Sequence, residues 1–417
     1  MSILIKNILL NNKKKDIYIE ENTITEINNK INIDAEFKLD GTDKAAIPSF
    51  VNAHTHGSMT LLRGYADDLP LLDWLQNKIW PAEAKLTEDV VYRGAKLACL
   101  EMIKSGTTFF NDMYWQYHGT ARAVEESGIR SAVSAVFIDL FDETKAKEQV
   151  ELNKKLFAET KRYGDRVTFA LGPHAIYTVS EESLIWASEF AEKNNLILHI
   201  HLSETKNEVE NCIKEHKKRP VEYLESIDFL GPNVTAAHVI WVNDKEIELL
   251  KNYDVKICMC PASNMKLASG VLPYKKMKKA GLTIALGTDG CASNNNLDML
   301  EEMKFAALLE KLKEKDPTAM PAKETFELAT INGAKAFNLN CGKIKEGKLA
   351  DLLLVDLKNI CLNPGHNLIS NLVYAAHGDC IDTTICDGKI LMENGMVEGE
   401  EEIIRKANDV AMELVGR

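Results

Sequence analysis

The sequence lacks any apolar run approaching the length of about 20 residues that a helix needs to cross a bilayer. Its N-terminus, MSILIKNILLNNKKK, has lysines after a short interrupted apolar stretch and no small-residue cleavage site, so we expect no signal peptide. The nine cysteines have no disulfide-like spacing, and their odd number is typical of the reducing cytosol. These absences predict a cytoplasmic protein with no membrane partner.

Positive charge is also scarce in this chain. The 417 residues include 50 Lys and Arg against 62 Asp and Glu, which gives a formal net charge of -12. Because so acidic a surface gains nothing from binding phosphate groups, we expect no nucleic acid as a partner. Hydrophobic residues make up 45% and charged residues 27%, a composition typical of a globular chain with one large domain or two to three ordinary ones.

Between about residues 46 and 341, short buried-strand patterns alternate with amphipathic helical patterns, which predicts βα units around a parallel sheet. The eight candidate strands are Ala46–His54, Gly106–Met113, Arg130–Phe137, Val167–Gly172, Leu196–Leu202, Val234–Val239, Val255–Met259 and Leu282–Thr288. Eight units in roughly 300 residues match a (β/α)8 barrel of the TIM type. A doubly wound open sheet is the alternative, but the Gly-rich phosphate loop that normally begins it is missing.

Both ends of the chain have β patterning of a different kind. Apolar bursts separated by Asn and Lys turns fill the first 45 residues and predict small antiparallel strands. Towards the other end, two strand patterns flank the hairpin-type turn Asp387-Gly388. We therefore expect residues 1–47 and 345–417 to form one small β-sandwich domain, and residues 48–344 to form a catalytic barrel.

Histidines collect at the carboxyl ends of the predicted barrel strands, where (β/α)8 barrels build their active sites. Strand one ends in His54 and His56, and because alternate side chains share one face of a strand, both imidazoles can point to the same place. Other predicted strands end near His174, His201, His238 and Asp289. Imidazoles and one carboxylate are ligands that a divalent transition metal prefers, with a position left open for water. The pattern therefore predicts a metal site.

Other residues that could bind a metal or stack on a ligand have a simpler interpretation. We interpret His199 as a core histidine rather than as the partner of a ligand, and Cys258 and Cys260 as small core residues on a buried strand. Trp80 and Trp115 lie near strand ends, where they could equally stack on a ring or pack in the core. The remaining histidines are interpreted as surface or packing residues: His118, His216, His366 and His377.

Five segments of the sequence resemble motifs of the amidohydrolase superfamily and, within it, of the 5-methylthioadenosine/S-adenosylhomocysteine deaminases. They are residues 48–56 (PSFVNAHTH), 172–175 (GPHA), 201–204 (HLSE), 261–267 (PASNMKL) and 286–290 (LGTDG). The resemblance extends from end to end and implies a distorted (β/α)8 barrel with a small β-sandwich. It also implies a hydrolase that converts the 6-amino group of an adenosine-type nucleoside to the inosine form and releases ammonia. The nucleosides are 5-methylthioadenosine, 5-deoxyadenosine, adenosine and S-adenosylhomocysteine.

The resemblance implies a role for each matching residue. One divalent ion per subunit, zinc or alternatively iron, would be bound by His54, His56, His201 and Asp289. Glu204 matches the catalytic acid/base, and His238 and Asp289 match the groups that hold the proton of the attacking water. Glu83 matches the carboxylate that binds the ribose hydroxyls, and His174, Glu204 and Asp289 match further substrate contacts. The sequence is also compatible with a homo-oligomer.

Two departures from the family pattern narrow these expectations. Binuclear relatives have Lys or Glu at the end of strand four, whereas this chain has residues 172–174 (GPH), so the resemblance implies one metal. Two arginines expected to hold the carboxylate of S-adenosylhomocysteine are replaced by Ala135 and by a region with Lys145, Lys147 and Gln149, so smaller adenosine derivatives are the expected substrates.

The alternative functions are a guanine deaminase, an s-triazine chlorohydrolase, a binuclear amidase and a non-catalytic barrel.

Overall fold

Two sheets of eight strands each organise the protein, for which a computed structural model describes residues 1–69 and 71–416. One sheet is a parallel barrel, and the other is a separate mixed sheet with strands from both ends of the chain. Among these described residues, no helix has both the length and the apolar composition required to cross a membrane.

The mixed sheet begins with five strands near the N-terminus. They are β1 (Ser2–Leu10), β2 (Lys13–Glu20), β3 (Thr23–Asn28), β4 (Phe37–Asp40) and β5 (Lys44–Pro48). β1 pairs with β2 in the expected antiparallel sense, but it runs parallel to β4 and β5. The expectation of antiparallel strands alone is therefore wrong. The segment 29–36 returns the chain to the starting end of β1, so β4 runs in the same direction as β1.

The second sheet is a nearly closed barrel of eight parallel strands, which confirms the predicted (β/α)8 architecture. Its strands, in spatial as well as chain order, are β6 (Phe50–Thr55), β7 (Thr107–Tyr114), β8 (Arg130–Phe137), β9 (Val167–Pro173), β10 (Ile197–Leu202), β11 (Val234–His238), β12 (Lys256–Met259) and β13 (Ile284–Leu286). The single predicted strand Ala46–His54 is wrong, because the run is divided between β5 and β6. Pro48 has no N–H with which to continue a ladder, and the chain changes sheets there.

The barrel closes through contacts between its first and last strands. The Asn52 side chain donates to the Thr288 hydroxyl at 2.7 Å and accepts from the Thr288 N–H at 3.0 Å. Just beyond β13, the Asp289 N–H donates to the His54 carbonyl at 3.0 Å. The backbones approach this closely because Gly287 has no side chain, since a Cβ there would lie 2.7 Å from the His54 nitrogen. The strands that carry His54 and Asp289 are thus held together.

Three C-terminal strands complete the mixed sheet. They are β14 (Leu352–Asp356), β15 (Ile381–Cys386) and β16 (Lys389–Met392). β14 pairs antiparallel with β5, which joins the two ends of the chain in one sheet as expected. β15 and β16 form the predicted hairpin around Asp387-Gly388. The domain boundaries at residues 47 and 345 stay predictions.

Helices connect the barrel strands and extend to the C-terminus. The α-helices are α1 (Leu71–Trp74), α2 (Trp80–Glu83), α3 (Glu88–Lys104), α4 (Tyr117–Ser127), α5 (Glu143–Glu159), α6 (Glu181–Asn194), α7 (Lys206–His216), α8 (Pro220–Ser226), α9 (Asp244–Asn252), α10 (Pro261–Lys266), α11 (Tyr274–Ala280), α12 (Met299–Glu314), α13 (Ala322–Ala329), α14 (Ile331–Ala336), α15 (Leu368–Tyr374) and α16 (Glu400–Val415). Shorter helical turns span Gly57–Leu62, Leu75–Ile79, Thr160–Arg162, Ile360–Leu362 and Gly378–Cys380. Side-chain caps that accept from backbone N–H groups begin several helices, for example Thr87 at α3 and Asp298 at α12.

The main hydrophobic core lies between the barrel strands and the surrounding helices, with a separate apolar cluster in the mixed sheet. Arg130, at the start of β8, links the two sheets. Its guanidinium donates to Asp351 at 3.1 Å and to Asp387 at 2.8 Å. Because Arg130 and Asp351 have little or no exposure, this pairing fixes the mixed sheet against the barrel.

Replacing Gly287 with Ala should destabilise the protein, because the new Cβ would lie 2.6 Å from Cys258 Sγ and 2.7 Å from the backbone nitrogen of His54. Overpacking of this kind costs about 1–3 kcal/mol. Urea denaturation should therefore give a lower midpoint for G287A than for the wild type. Gly365→Ala is the matched control, since a Cβ at that position meets nothing within 4 Å. Equal midpoints for all three proteins would contradict the proposed close approach.

Candidate active site

Three histidines and one aspartate meet at the carboxyl end of the barrel, where the sequence predicts them. They are His54, His56, His201 and Asp289, and we call them the ligand cluster. Asp289 Oδ1 lies 3.3 Å from the Nε2 atoms of both His54 and His56. The Nε2 atoms of His56 and His201 are 3.2 Å apart. Four side chains from three distant parts of the chain thus direct their ligand atoms to one point.

Hydrogen bonds at Nδ1 determine which nitrogen each imidazole presents to that point. His56 Nδ1 donates to the Met113 carbonyl at 2.5 Å, and His201 Nδ1 donates to the His174 carbonyl at 2.9 Å. Because a neutral imidazole has one N–H, the Nε2 atom of each ring carries a lone pair. Two lone pairs that face each other at 3.2 Å repel unless a cation lies between them. The Nε2 atom of His54 is likewise buried and has no hydrogen-bond partner in the described chain.

These atoms fit a divalent metal ion. Two ligands that each lie about 2.0–2.1 Å from one tetrahedral ion are roughly 3.3 Å apart, close to the spacing of the ligand cluster. Burial lowers the pKa of His54 to about 4, and burial with neighbouring imidazoles lowers the pKa of His201 well below its ordinary value. The rings of His54 and His201 are therefore neutral, as metal ligands must be. Burial raises the pKa of Asp289, but the adjacent histidines outweigh it and hold that pKa well below its ordinary value.

Two hydroxyl groups and a strained backbone orient the aspartate. Ser263 and Ser293 donate to Asp289 Oδ2 at 2.6 and 3.0 Å, which leaves Oδ1 directed at the histidines of the ligand cluster. Asp289 has a φ of 62°, in the left-handed region that residues with a side chain rarely adopt. His238 and Ser203 share this conformation, with φ values of 70° and 51°. Strain of this kind tends to concentrate at functional sites.

Glu204 and His238 lie beside the ligand cluster. His238 Nε2 is 3.9 Å from Glu204 Oε2, and Ser269 donates to Glu204 Oε1 at 3.0 Å. His238 Nδ1 donates to the side-chain oxygen Oδ1 of Asn264 at 2.8 Å, so the ring is held with Nε2 towards Glu204. Burial lowers the pKa of His238, but the carboxylates of Glu204 and Asp289 outweigh burial and raise it. A carboxylate and an imidazole that can exchange protons thus face the same space.

A buried carboxylate that sequence reasoning did not identify holds the loop of Glu204. Glu208, in the first turn of α7, accepts from the N–H groups of Ser203 at 2.7 Å and of Glu204 at 2.8 Å. Burial raises the pKa of Glu208 to about 7. An acidic residue in the first turn of a helix is common, so its position in the sequence could not distinguish Glu208 from an ordinary helix-stabilising residue.

His199 corrects an interpretation made from the sequence. Instead of serving only as a core histidine, it places Nε2 2.8 Å from Nδ1 of the ligand-cluster residue His54. Strand alternation put His199 in phase with His201, but His54 comes from another strand. The contact therefore depends on the barrel and not on local spacing. Cys258 and Cys260 are buried in the core as expected.

A cavity opens onto the ligand cluster and is lined by its members His56, His201 and Asp289. Its lining contains all the remaining predicted site residues: Glu83, His174, Glu204 and His238. Aromatic side chains form much of its wall: Trp74, Trp80, Tyr114, Trp115 and Tyr177. Trp80 and Trp115, for which the sequence allows either stacking on a ring or packing in the core, therefore both border the cavity.

Two of the four predicted substrate contacts, Glu83 and His174, face the cavity from different elements. Glu83 ends α2, and burial raises its pKa although hydrogen bonds from Trp115 and Tyr114 act in the opposite direction. His174 directly follows β9, and its Nδ1 contacts the Thr178 hydroxyl at 2.9 Å. Burial together with neighbouring imidazoles lowers the pKa of His174 to about 3, so the ring is neutral.

The cavity lining has no positively charged side chain of lysine or arginine among the residues that the structure describes. Ala135, at one position where the family pattern led us to expect arginine, is buried near the end of β8 and does not border the cavity. Lys145, Lys147 and Gln149 lie on α5, also outside the lining. A ligand carboxylate would find no lysine or arginine partner in this lining.

The fold and the site together define a (β/α)8-barrel protein with a divalent-metal centre and acid/base groups beside it. The chain belongs to the amidohydrolase family, whose model matches residues 45–391.

Proteins similar to this chain include two archaeal deaminases and one solved bacterial structure. The 5-methylthioadenosine/S-adenosylhomocysteine deaminase 1 of Archaeoglobus fulgidus is 49% identical, with 99% of each chain covered. The 5'-deoxyadenosine deaminase of Methanothermobacter thermautotrophicus is 48% identical, with 97% of this chain and 96% of that one covered. An adenosine deaminase from Xanthomonas campestris with bound zinc is 31% identical and has a TM-score of 0.93, with coverage of 100% and 98%.

Removing one member of the ligand cluster should abolish stoichiometric metal binding. Purified wild-type protein, loaded with zinc and dialysed, should retain about one ion per chain by elemental analysis, because three imidazoles and a carboxylate are ligands that zinc prefers. His56→Ala and Asp289→Ala should each lose most of that metal. His366→Ala, which removes an exposed histidine, is the control and should retain it. Full retention by His56→Ala and Asp289→Ala would show that the cluster does not bind the ion.

Proposed function

We propose that this protein is a hydrolytic deaminase that converts the 6-amino group of an adenosine-type nucleoside to a 6-oxo group and releases ammonia. The observation that carries this proposal is one cavity lined by three members of the ligand cluster, by the Glu204–His238 pair and by Glu83. Support also comes from relatives named as deaminases of 5-methylthioadenosine, S-adenosylhomocysteine and 5'-deoxyadenosine, at 49% and 48% identity.

The proposed cofactor is one zinc ion held by His54, His56, His201 and Asp289. Three imidazoles and a carboxylate suit zinc, and the similar adenosine deaminase structure contains bound zinc. When bound, such an ion acts as a Lewis acid and lowers the pKa of water to about 7. Iron is the alternative, since it accepts the same ligands. A second ion is not proposed, because residues 172–174 (GPH) supply neither Lys nor Glu to bridge two metals.

Glu204 and His238 are the proposed proton-transfer groups. Addition of water at C6 of the purine ring requires a proton at N1, and the departing amine then requires another. Glu204 takes one proton of the attacking water and delivers it to N1. It then carries the second proton, from the oxygen added at C6, to the amino nitrogen, so that the C6–N bond breaks, ammonia leaves and the C6 oxo group forms. His238 and Asp289 hold and orient the water through its remaining proton. In the overall reaction one water is consumed and one ammonia is released.

Nucleoside binding is assigned to the outer part of the cavity. The Glu83 carboxylate accepts hydrogen bonds from the two ribose hydroxyls, and the neutral ring of His174 contacts the purine. Trp80 and Trp115 offer apolar faces along the same wall. Because the described lining has no lysine or arginine, small uncharged groups at the ribose 5-position are favoured over the amino-acid tail of S-adenosylhomocysteine. The proposed substrates are 5'-deoxyadenosine, 5-methylthioadenosine and adenosine.

A substrate panel tests the proposal, with ammonia release and ultraviolet absorbance as readouts. The zinc-loaded protein should deaminate 5'-deoxyadenosine, 5-methylthioadenosine and adenosine with higher kcat/KM than S-adenosylhomocysteine, guanine or a chloro-s-triazine. Glu83→Ala should lower kcat/KM for the nucleosides by about 10- to 100-fold, which is the typical effect of losing hydrogen bonds to a charged group. The same substitution should lower kcat/KM for adenine far less, because adenine has no ribose. Asp73→Ala, at an exposed carboxylate on α1, is the control and should leave these values unchanged.

Other outcomes of the panel identify the alternatives. Release of ammonia from guanine alone would assign a guanine deaminase, and release of chloride would assign an s-triazine chlorohydrolase. No product from any compound, with metal bound at full stoichiometry, would contradict the proposed function.

Glu204→Gln should keep the metal but lose catalysis, since an amide cannot shuttle a proton between water and the purine. General acid–base groups typically contribute about 10²- to 10⁴-fold, so kcat/KM should fall by that factor. Elemental analysis should give the wild-type zinc content, which separates a catalytic loss from a loss of metal. Glu210→Gln changes an exposed glutamate on the same helix as Glu208 and should behave as the wild type. Activity of Glu204→Gln within a few-fold of the wild type would exclude Glu204 as the proton carrier.

A further inference from the structure

His199 is a fully buried histidine whose hydrogen bonding is one-sided. Its Nε2 atom lies 2.8 Å from His54 Nδ1, with the two rings almost perpendicular at 86°. Its Nδ1 atom is buried and has no hydrogen-bond partner among the residues described. A buried polar atom without a partner lowers the stability of the folded state. A histidine that served only to fill space would not need its Nε2 atom beside His54 Nδ1.

The direction of the hydrogen bond follows from the surroundings of His54. Its Nε2 atom faces the Asp289 carboxylate and the neighbouring imidazoles of the ligand cluster, and it has no donor or acceptor partner there. If Nε2 carries the lone pair that binds the ion, the ring proton must be on Nδ1. His54 Nδ1 then donates, and His199 Nε2 accepts. The proton of His199 is consequently on Nδ1, the atom that has no partner.

The other two histidine ligands obtain the same orientation from the backbone. His56 donates to the Met113 carbonyl and His201 to the His174 carbonyl. His54 differs, since the acceptor at its Nδ1 is a side chain. Acceptors of this kind orient a metal-binding imidazole and increase the basicity of its other nitrogen, and their loss typically weakens metal binding about 10- to 100-fold.

We propose that His199 is a positioning residue of the metal site: it accepts the Nδ1 proton of His54 and thereby directs the His54 Nε2 lone pair at the ion. This inference rests on the proposed role of His54 as a ligand. His199 touches neither the substrate nor the ion, and it acts through His54 alone.

Metal affinity, measured by competition with a chelator of known zinc affinity, tests the inference. In His199→Gln the amide oxygen can take the place of Nε2 as acceptor, whereas in His199→Asn the side chain is one methylene shorter and cannot reach His54. We expect His199→Gln to bind zinc within a few-fold of the wild type. His199→Asn and His199→Phe should bind zinc about 10- to 100-fold more weakly. His118→Phe removes a partly buried histidine that contacts Glu159 and Tyr163 instead, and should leave zinc affinity unchanged.

The cobalt-substituted proteins provide a second readout, because visible absorption bands respond to the number and geometry of the ligands. The spectrum of His199→Gln should match the wild type, and that of His199→Asn should differ. Since Gln and Asn differ by one methylene, their comparison shows whether an acceptor at the position of His199 Nε2 is required for metal binding, even if His199→Phe does not fold. Equal zinc affinities for wild type, Gln and Asn would overturn the inference and leave the proposed function intact. Failure of the wild type itself to bind zinc, cobalt or iron would overturn the proposed function, and with it this inference.

Discussion

The close approach of β6 and β13 determines the geometry of the metal site. These strands are the first and last of the barrel, and they meet because Gly287 leaves room for the backbone of His54. The hydrogen bond from the Asp289 N–H to the His54 carbonyl then places the aspartate beside the imidazole of His54. Asn52 and Thr288 reinforce the same contact from within the barrel. Closure of the barrel therefore also places His54 beside Asp289.

Each functional side chain at this contact is held by a further buried group. Ser263 and Ser293 orient Asp289, and Asn264 orients His238. Glu208 holds the backbone that carries Glu204. Under the proposed function, such support would keep Glu204, His238 and Asp289 in place before substrate arrives, so that little reorganisation would be needed during the reaction. The arrangement has a cost in stability, because the imidazole lone pairs converge in a region that excludes water, and a bound cation offsets that cost.

Two regularities of the sequence predict that histidines and Asp289 gather at one end of the barrel, whereas the choice of His54, His56, His201 and Asp289 as the ligands rests on the family resemblance. Barrel strands carry their functional side chains at their carboxyl ends. Alternate residues of a strand share one face, so His54 and His56 are predicted to point in the same direction. The contact of His199 with His54 could not be predicted, since it depends on the register between distant strands. The division of residues 46–54 between two sheets was missed because an unbroken apolar run contains no signal for a change of partner other than Pro48. The parallel pairing of β4 with β1 likewise depends on the course of a loop.

Anomalous diffraction from crystals of the zinc-loaded protein is the most direct test of the central claim that three imidazoles and one carboxylate bind a single ion. We predict one strong peak per chain at the zinc edge, within bonding distance of the Nε2 atoms of His54, His56 and His201 and of the Asp289 carboxylate. A peak bound by other side chains, or two peaks of equal strength within the cavity, would contradict this account.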